Sequence, residues 1–538
     1  MNTLPANMSR AWSLANYTVM GLRLLCRLPG YLRHPLTIAE AQAILRQRLE
    51  RREDDFLDLA QRTIFANRES PYYSLLSHAG CEYGDLERQV RQDGLEGTLR
   101  VLFRAGVYLT LDEYKGHRPV VRGGLTLTVN AQRLRNPLTV PQLLAATSGS
   151  RGSATQIPFD MACIRDRAVN MYLSLAARGG AHWRNAVWGM PGIVTLLWYS
   201  ACGGPAARWF TTLDMHLPGL HPRYRWNALI IAWTGRLSGV RVPYAEFAPT
   251  DTPLPIIRWM EQMLQAGEVP HLWTSCSLAV SLCRVAEEAG IDLEGAQFTV
   301  TGEPVTDSRL AAIRRVGADA APDYGSADSG GSVSGGCLSP EASDDVHVFS
   351  DLNALIQADA PPFPKRALLL TSIRPTVPFV FLNVSMGDCA TISERSCGCP
   401  MEMLGWRAHL HTIRSYEKLT AGGITFADTD IVRILEELLP RRFGGGPTDY
   451  QLVEELADDN QPRLRLLVNP SVGTANATAV SDAFLDALAN GSEAEKIMAC
   501  QLRGSGYLCV VRQAPLTTSS GKILHLWAGP ITSSGDAQ

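Results

Sequence analysis

HLWTSCSLAVSLCRVAEEAGIDLEGAQFTVTG, residues 271–302, holds two short apolar runs on either side of one helical stretch. HLWTS and QFTVTG have the length of buried strands. LAVSLCRVAEEAG between them repeats its apolar residues at three- and four-residue spacing. Strand, helix and strand in roughly thirty residues form a βαβ unit, whose two strands run parallel. The alternation continues outward. NAVWGM and ARWFTTL read as strands before this stretch, and PLPIIRWMEQMLQAG as a helix. A mostly parallel, doubly wound α/β core is expected over residues 145–335.

The flanks read differently. Residues 1–110 form a helical start, with LTIAEAQAILRQRLERREDDFLDLAQRTIF and SPYYSLLSHAG (Ser70–Gly80) patterned as helices. HVFSDLNALIQAD, RALLLTSI and FVFLNVSMGD are strand-rich and predict a smaller β unit over 336–412. A boundary falls near His409 to Gly423, where HTIRSYEKLTAGGITF is polar and carries Gly422-Gly423. Residues 413–538 then read as a compact α+β module. The expected fold class is α/β, with a large N-terminal domain (1–412) of doubly wound sheets plus the β unit, and a small C-terminal domain (413–538).

A chain of 538 residues is long enough for about three structural units. Its 46% hydrophobic and 19% charged residues fit packed cores and argue against disorder. A net charge of −3 provides no global basic field, so no nucleic-acid partner is expected. Twelve scattered cysteines fit a reducing compartment. Met1–Arg10 lacks the apolar run of a signal peptide, so the expected location is the cytoplasm. Ala11–Leu32 is apolar but carries Arg23 and Arg27; it reads as an amphipathic helix that packs on the body or lies weakly on a membrane surface. Asn185–Ala207 has no formal charge, yet Pro191, Pro205 and several glycines favour buried strands and turns over a spanning helix.

ATSGSRGSAT (Ala146–Thr155) is rich in hydroxyls, with Thr147, Ser148, Gly149, Ser150, Arg151, Gly152 and Ser153 in sequence. Backbone N–H groups in such a turn can converge on anionic oxygens, with the hydroxyls and the Arg151 guanidinium adding donors. By itself it reads equally as a surface turn. Four further motifs follow: TGEPVT (Thr301–Thr306), DYGSADSGG (Asp323–Gly331), SMGD (Ser385–Asp388) and TTSSGKI (Thr517–Ile523). In that order and spacing the five resemble the adenylate-forming superfamily of acyl- and aryl-CoA synthetases, peptide-synthetase adenylation domains and luciferases. SPYYSLLSHAG, TGEPVT and a Cys-x-Cys after the Gly-Asp are similar to the phenylacetate-CoA ligase branch, to which acyl-protein synthetases are related. The resemblance covers about residues 60–530.

The resemblance implies an ATP- and magnesium-dependent ligase that activates a carboxylic acid, aryl or fatty, as an acyl-adenylate. The acyl group then passes to a thiol, with CoA ahead of a carrier-protein thiol or an amine; a degenerate nucleotide-binding scaffold is the rival. It assigns the Thr147–Gly152 loop to the ATP phosphates. Asp388 holds the ribose hydroxyls, and Glu303 lies near the adenine. Tyr324 and Gly325 border the adenine and the acid, and Asp323 opens that motif. Asp328 takes the place of a magnesium-ligating Glu. Arg407 is the arginine after the hinge-side glycine. Lys522 is the lysine that a mobile C-terminal domain carries to the carboxylate and the α-phosphate.

The chain also departs from the pattern. Arg151 stands where the family has a Thr, and Ser153-Ala154 where it has Lys-Pro, so the loop's cation lies two places early. A guanidinium binds phosphate oxygens in a fork, which makes Arg151 a replacement for the missing lysine. Cys397-Gly-Cys399 follows Cys337 and His347 by about sixty residues. Three thiolates and one imidazole make a closed tetrahedral set, the pattern of a structural zinc site. His271, Trp188 and Trp273 are further candidates near an acyl pocket, and DEYKGHRPVVRGG (Asp112–Gly124) has no evident chemical role.

Overall fold

A computed structural model describes residues 6–146, 155–190, 192–202, 204–216, 223–416, 420–421, 424–425, 429–456, 462–473, 476–491, 495–496, 499–500, 502–503, 508–518 and 520–528. Its first large sheet has six strands: β1 Arg184–Gly189, β2 Arg208–Thr211, β3 Ala245–Phe247, β4 Pro270–Ser275, β5 Gln297–Thr301 and β6 Asp319–Asp323. They lie in the order β6-β5-β4-β1-β2-β3, every pair parallel. The 271–302 stretch is its βαβ unit: β4, the helix Cys276–Glu288, then β5, in the register His271↔Gln297. Leu278, Ile256 and Leu310 from three helices cover Leu272, Phe298 and Val300 on one face, while Ile164 and Leu197 pack with Val187 and Trp209 on the other. Burial on both faces explains why these strands read as unbroken apolar runs.

One segment differs from its sequence reading. After β1, Ile193–Ser200 is a helix and not a strand. IVTLLWYS is apolar all round, so periodicity cannot separate a buried helix from a buried strand there.

The second sheet is antiparallel. Its strands are β7 Ser334–Gly336, β8 Val346–Val348, β9 Asn353–Ala358, β10 Ala367–Ser372, β11 Val384–Glu394 and β12 Ala408–Ser415, ordered β7-β8-β12-β11-β10-β9. β12 lies between β8 and β11 and carries this sheet past residue 412 to Ser415. A third, mixed sheet has β13 Tyr450–Leu456, β14 Pro462–Val468, β15 Leu508–Arg512 and β16 Leu526–Ala528 around its own apolar core. Among the described residues no helix is long and apolar enough to cross a membrane.

A buried ionic cluster joins the third sheet's unit to the first. Arg309, 1% exposed, donates from Nε to Glu436 Oε1 at 2.7 Å and lies 3.8 Å from Glu303. His525 Nε2 donates to the same Glu436 oxygen at 2.6 Å, and Thr306 Oγ1 donates to the other. Burial alone would raise the Glu436 carboxyl, but Arg309, His525 and Thr306 hold it down at about 2.

Glu436→Ala leaves the Arg309 charge buried beside one carboxylate instead of two, and is expected to cost about 3–5 kcal/mol. Thermal melting and faster limited proteolysis between the second and third sheets read this out. A carboxyl lowered by folding stabilises above its unfolded value of about 4.3. The wild-type contribution is therefore full at neutral pH and is lost as pH falls towards about 2.

Candidate active site

A cavity of about 130 Å³ lies where the three sheets meet. β6 and the turn after it supply Asp323, Tyr324 and Gly325; the TGEPVT turn supplies Gly302 and Glu303; β11 supplies Asp388; β12 supplies Arg414 and Ser415; and Ile523, Leu524 and His525 close it. Tyr324 Oη donates to Asp388 Oδ2 at 3.0 Å, which fixes the ring and carboxylate together. Burial and the neighbouring Asp388 carboxylate raise the Tyr324 phenol well above its usual range. Asp388 sits where β11 changes register against both neighbours, and such bulges re-aim side chains. Burial pushes the Asp323 carboxyl up to about 7, against a 2.9 Å bond from Ser332 Oγ.

Lys522 lies at the edge of this cavity, next to its lining residues Ile523 and Gly302. The turn before it is closed by Gly521 N–H donating to Thr518 O at 2.8 Å and Lys522 N–H donating to Thr518 Oγ1 at 3.1 Å. Its Nζ crosses directly over Gly302, at φ +79°, where a Cβ would collide with the ammonium. Glu303 lines the cavity but its carboxylate is committed elsewhere. It accepts from Ser277 N and Oγ at 2.8 and 2.7 Å, and from Ile523 N at 2.8 Å. Its geometry is that of a dock for the segment carrying Lys522, and not of an open adenine contact.

Two assignments shift. Arg407 is exposed and does not line the cavity. Arg414, further along the chain on β12, does; Asp344 Oδ2 accepts from its Nη1 at 2.9 Å. Asp328 is 4% exposed and forms an ion pair with Lys115 Nζ at 3.0 Å. Lys115 also donates to Thr155 Oγ1 at 3.1 Å. Lys115 ends the helix Leu111–Lys115, which is capped by Thr110 and stopped by Gly116 at φ +80°. The DEYKG segment thus delivers a cation to the base of the hairpin Leu143–Ala146/Gln156–Phe159. Thr147, Ser148, Gly149, Ser150, Arg151 and Gly152 lie outside the described residues, as do Gly422 and Gly423.

His271 belongs to the core. Its Nδ1 lies 2.8 Å from Asn185 Oδ1 and its Nε2 2.8 Å from Thr299 Oγ1, and burial drives its pKa well below normal. Trp188 is also core, with Nε1–H donated to Ala248 O. Trp273 lines a side chamber of about 20 Å³ that shares Asp323 with the main cavity.

The cysteine and histidine residues come together behind the cavity wall. Ligand atoms of Cys337, His347, Cys397 and His409 all lie within 4.8 Å of one another. Cys399 Sγ is 3.1 Å and Cys397 Sγ 3.6 Å from His347 Nε2. Tetrahedral zinc places its S and N ligands roughly 3.3–3.8 Å apart, so these side chains fit such an ion. His347 Nδ1–H donates to Trp406 O at 2.7 Å, which leaves Nε2 bare. Burial, with His409 beside it, lowers His347 to about 4. Burial would raise the Cys399 thiol, yet backbone N–H groups of Glu402 and Leu338 pull it below its usual value.

His409 is the residue that the sequence reading missed. It faces His347 across β8 and β12, gives Nδ1–H to Asp345 Oδ1 at 2.9 Å, and its buried Nε2 has no hydrogen-bond partner among the described residues. Its place in RAHLHTI, two residues after Arg407, was the available signal.

No family model matches the chain, and no curated protein matches it. Solved structures do. A 2-hydroxyisobutyryl-CoA ligase in the postadenylation state, in complex with R3-HIB-AMP, superposes with a TM-score of 0.52 at 14% identity, covering 92% of this chain and 91% of that one. The same ligase with 2-HIB-AMP gives 0.50 at 14% identity over the same shares. The chain shares the fold of this ligase over nearly its whole length. In that fold the cavity and the cysteine–histidine cluster share a wall. Asp344 accepts from the Thr412 and Ile413 N–H groups at 2.8 and 2.7 Å on the cavity side, while its neighbour Asp345 holds His409 and Arg395 on the other.

Metal analysis of the purified chain is expected to find about one zinc per chain. Cys397→Ser combined with His409→Ala is expected to lower that content well below one and to reduce the melting temperature. A full complement of zinc in the double variant would rule out this cluster as the site.

Proposed function

We propose that the chain is an ATP-dependent ligase that activates a carboxylic acid as an acyl-adenylate and passes the acyl group to a thiol, CoA first among them. One observation carries the reading: the ammonium of Lys522 stands over Gly302, a lining residue of the cavity that Asp388 and Tyr324 also line. A carboxylate is a poor acyl donor because oxide would have to leave. Attack of a carboxylate oxygen on the α-phosphorus of ATP forms a C–O–P linkage and breaks the bond to pyrophosphate. A thiol then attacks the acyl carbon, and AMP leaves with the oxygen and its electron pair.

Asp388 is a bidentate acceptor suited to the ribose hydroxyls, and Tyr324 orients it. Arg414 and Lys522 supply positive charge where negative charge gathers at the α-phosphate. Lys115 lies at the base of the loop hairpin, bonded to Thr155, and works with Arg151 in place of the absent loop lysine. Magnesium, when bound, would neutralise the departing pyrophosphate, with Asp328 the side chain offered to it. Lys115 is then the residue that holds Asp328 in place. The Cys-x-Cys cluster supports a place in the phenylacetate-CoA ligase-like branch, with the metal as a structural tie. The similar 2-hydroxyisobutyryl-CoA ligase forms a CoA thioester, as its name says, which supports CoA as acceptor.

A second reading has its own support: nucleotide binding without turnover. Asp328 is occupied by Lys115, and the loop departs from the usual pattern.

Acid-dependent exchange of pyrophosphate into ATP, measured across a panel of carboxylic acids, is expected for the enzyme. Lys522→Ala is expected to lower exchange by about 100-fold or more with nucleotide binding retained. Lys115→Ala is expected to raise the KM for ATP about tenfold, and Lys115→Arg to recover most of it. Nucleotide binding with no exchange for any acid would favour the second reading.

A further inference from the structure

The N-terminal helix Ala6–Arg33 packs on the helix Arg223–Leu237, and both leave apolar residues in solvent. On the second helix Trp226, Leu229, Trp233 and Leu237 recur at three- and four-residue spacing and form one row. Trp226 is 64% exposed, Trp233 60% and Leu237 79%. On the first, Leu24 and Leu28 face the core while Val19, Leu22 and Leu25 are exposed. Large side chains exposed in rows are unusual for a surface that faces only water.

The two helices themselves carry charge of one sign. Between Met1 and Ala39 there are four arginines and no acidic residue, and between Met215 and Ala245 four more and again no acidic residue. Arg23 and Arg27 lie one position round from Leu22 and Cys26, and all four are exposed. Arg225 and Arg236 both flank the tryptophan row. Beside that helix lies an open groove of about 1100 Å³. Two arginines in the groove are neutralised, Arg184 by Glu268 and Arg208 by Glu246. Arg236 and Arg241 have no ion-pair partner among the described residues.

We infer that this two-helix face is a docking surface for a lipid bilayer bearing anionic headgroups. Tryptophan suits the boundary between acyl chains and headgroups, and the arginines match anionic lipid. A second copy of the chain does not fit, because a two-fold contact would bring Arg23, Arg27, Arg225 and Arg236 of one face against the same arginines of the other. The face lies on the surface and neither helix spans the bilayer, so attachment is peripheral.

Co-sedimentation with phosphatidylcholine vesicles, with and without phosphatidylglycerol, tests this directly and does not depend on ligase activity. The full chain is expected to sediment with the anionic vesicles, to release in high salt, and to show a blue-shifted tryptophan emission on binding. Trp226→Ser with Trp233→Ser, and separately Arg23→Glu with Arg27→Glu, are each expected to weaken binding by about tenfold or more. These positions are exposed, and an unchanged melting curve checks that each variant folds. Equal binding to vesicles lacking phosphatidylglycerol would overturn the proposal. So would a dimer that the tryptophan variant dissolves, with no vesicle binding by either form.

Discussion

Arg309 is a fully buried cation held between Glu303 and Glu436, and the candidate active site depends on that arrangement. Two buried carboxylates and a guanidinium are expensive to take out of water, and they persist only when every member is paired. Here Thr306 and His525 complete the set from opposite sides. Glu303 belongs to the first domain's TGEPVT turn, and Glu436 and His525 to the unit of the third sheet. The same Glu303 accepts from the N–H of Ile523, the residue next to Lys522. The lysine is thus located by a chain of bonds that leaves little freedom. Any displacement of this unit would have to break these bonds together.

The wall shared by the cavity and the cysteine–histidine cluster follows a similar logic. Asp344 and Asp345 are adjacent in sequence and face opposite ways. Asp344 holds the Thr412–Arg414 backbone and guanidinium, including Thr412 in a left-handed conformation at φ +56° that a β-branched residue adopts only when its surroundings impose it. Asp345 holds His409 and Arg395 beside the thiols. Whatever orders the cluster therefore also orders the strand that presents Arg414. A structural ion placed there would act on nucleotide binding through geometry, without touching the nucleotide.

The parallel core was legible because its strands and helices differ in period and length: HLWTS, LAVSLCRVAEEAG and QFTVTG could scarcely be read otherwise. IVTLLWYS was not, because a segment apolar on every side carries no period. The motif turns gave the positions of Asp388, Tyr324 and Lys522 on the chain. They did not show that Glu303 spends its carboxylate on Ser277 and Ile523, since those partners lie 26 and 220 positions away and meet only in the fold. Arg414 and His409 were hidden for a related reason. Both alternate along β12, and which strand residues face the cavity or the cluster is settled by pairing with β8 and β11, not by local spacing.

Lys115 shows the same limit from the other side. DEYKG contains an ordinary helix end with a capping box and a stopping glycine, and nothing in it signals chemistry. Its importance comes from tertiary placement: the helix ends where the hairpin of the Gly/Ser/Thr loop begins, and the ammonium falls between Thr155 and Asp328. The loop's displaced cation and this lysine can be understood together. A site that binds phosphates needs positive charge near the loop, but the charge need not come from the loop itself. If Lys115 supplies it from below while neutralising Asp328, selection for a lysine after Gly152 is relaxed, and Ser153-Ala154 can stand there. The departure in the loop and the ion pair at Asp328 then become two parts of one rearranged charge balance.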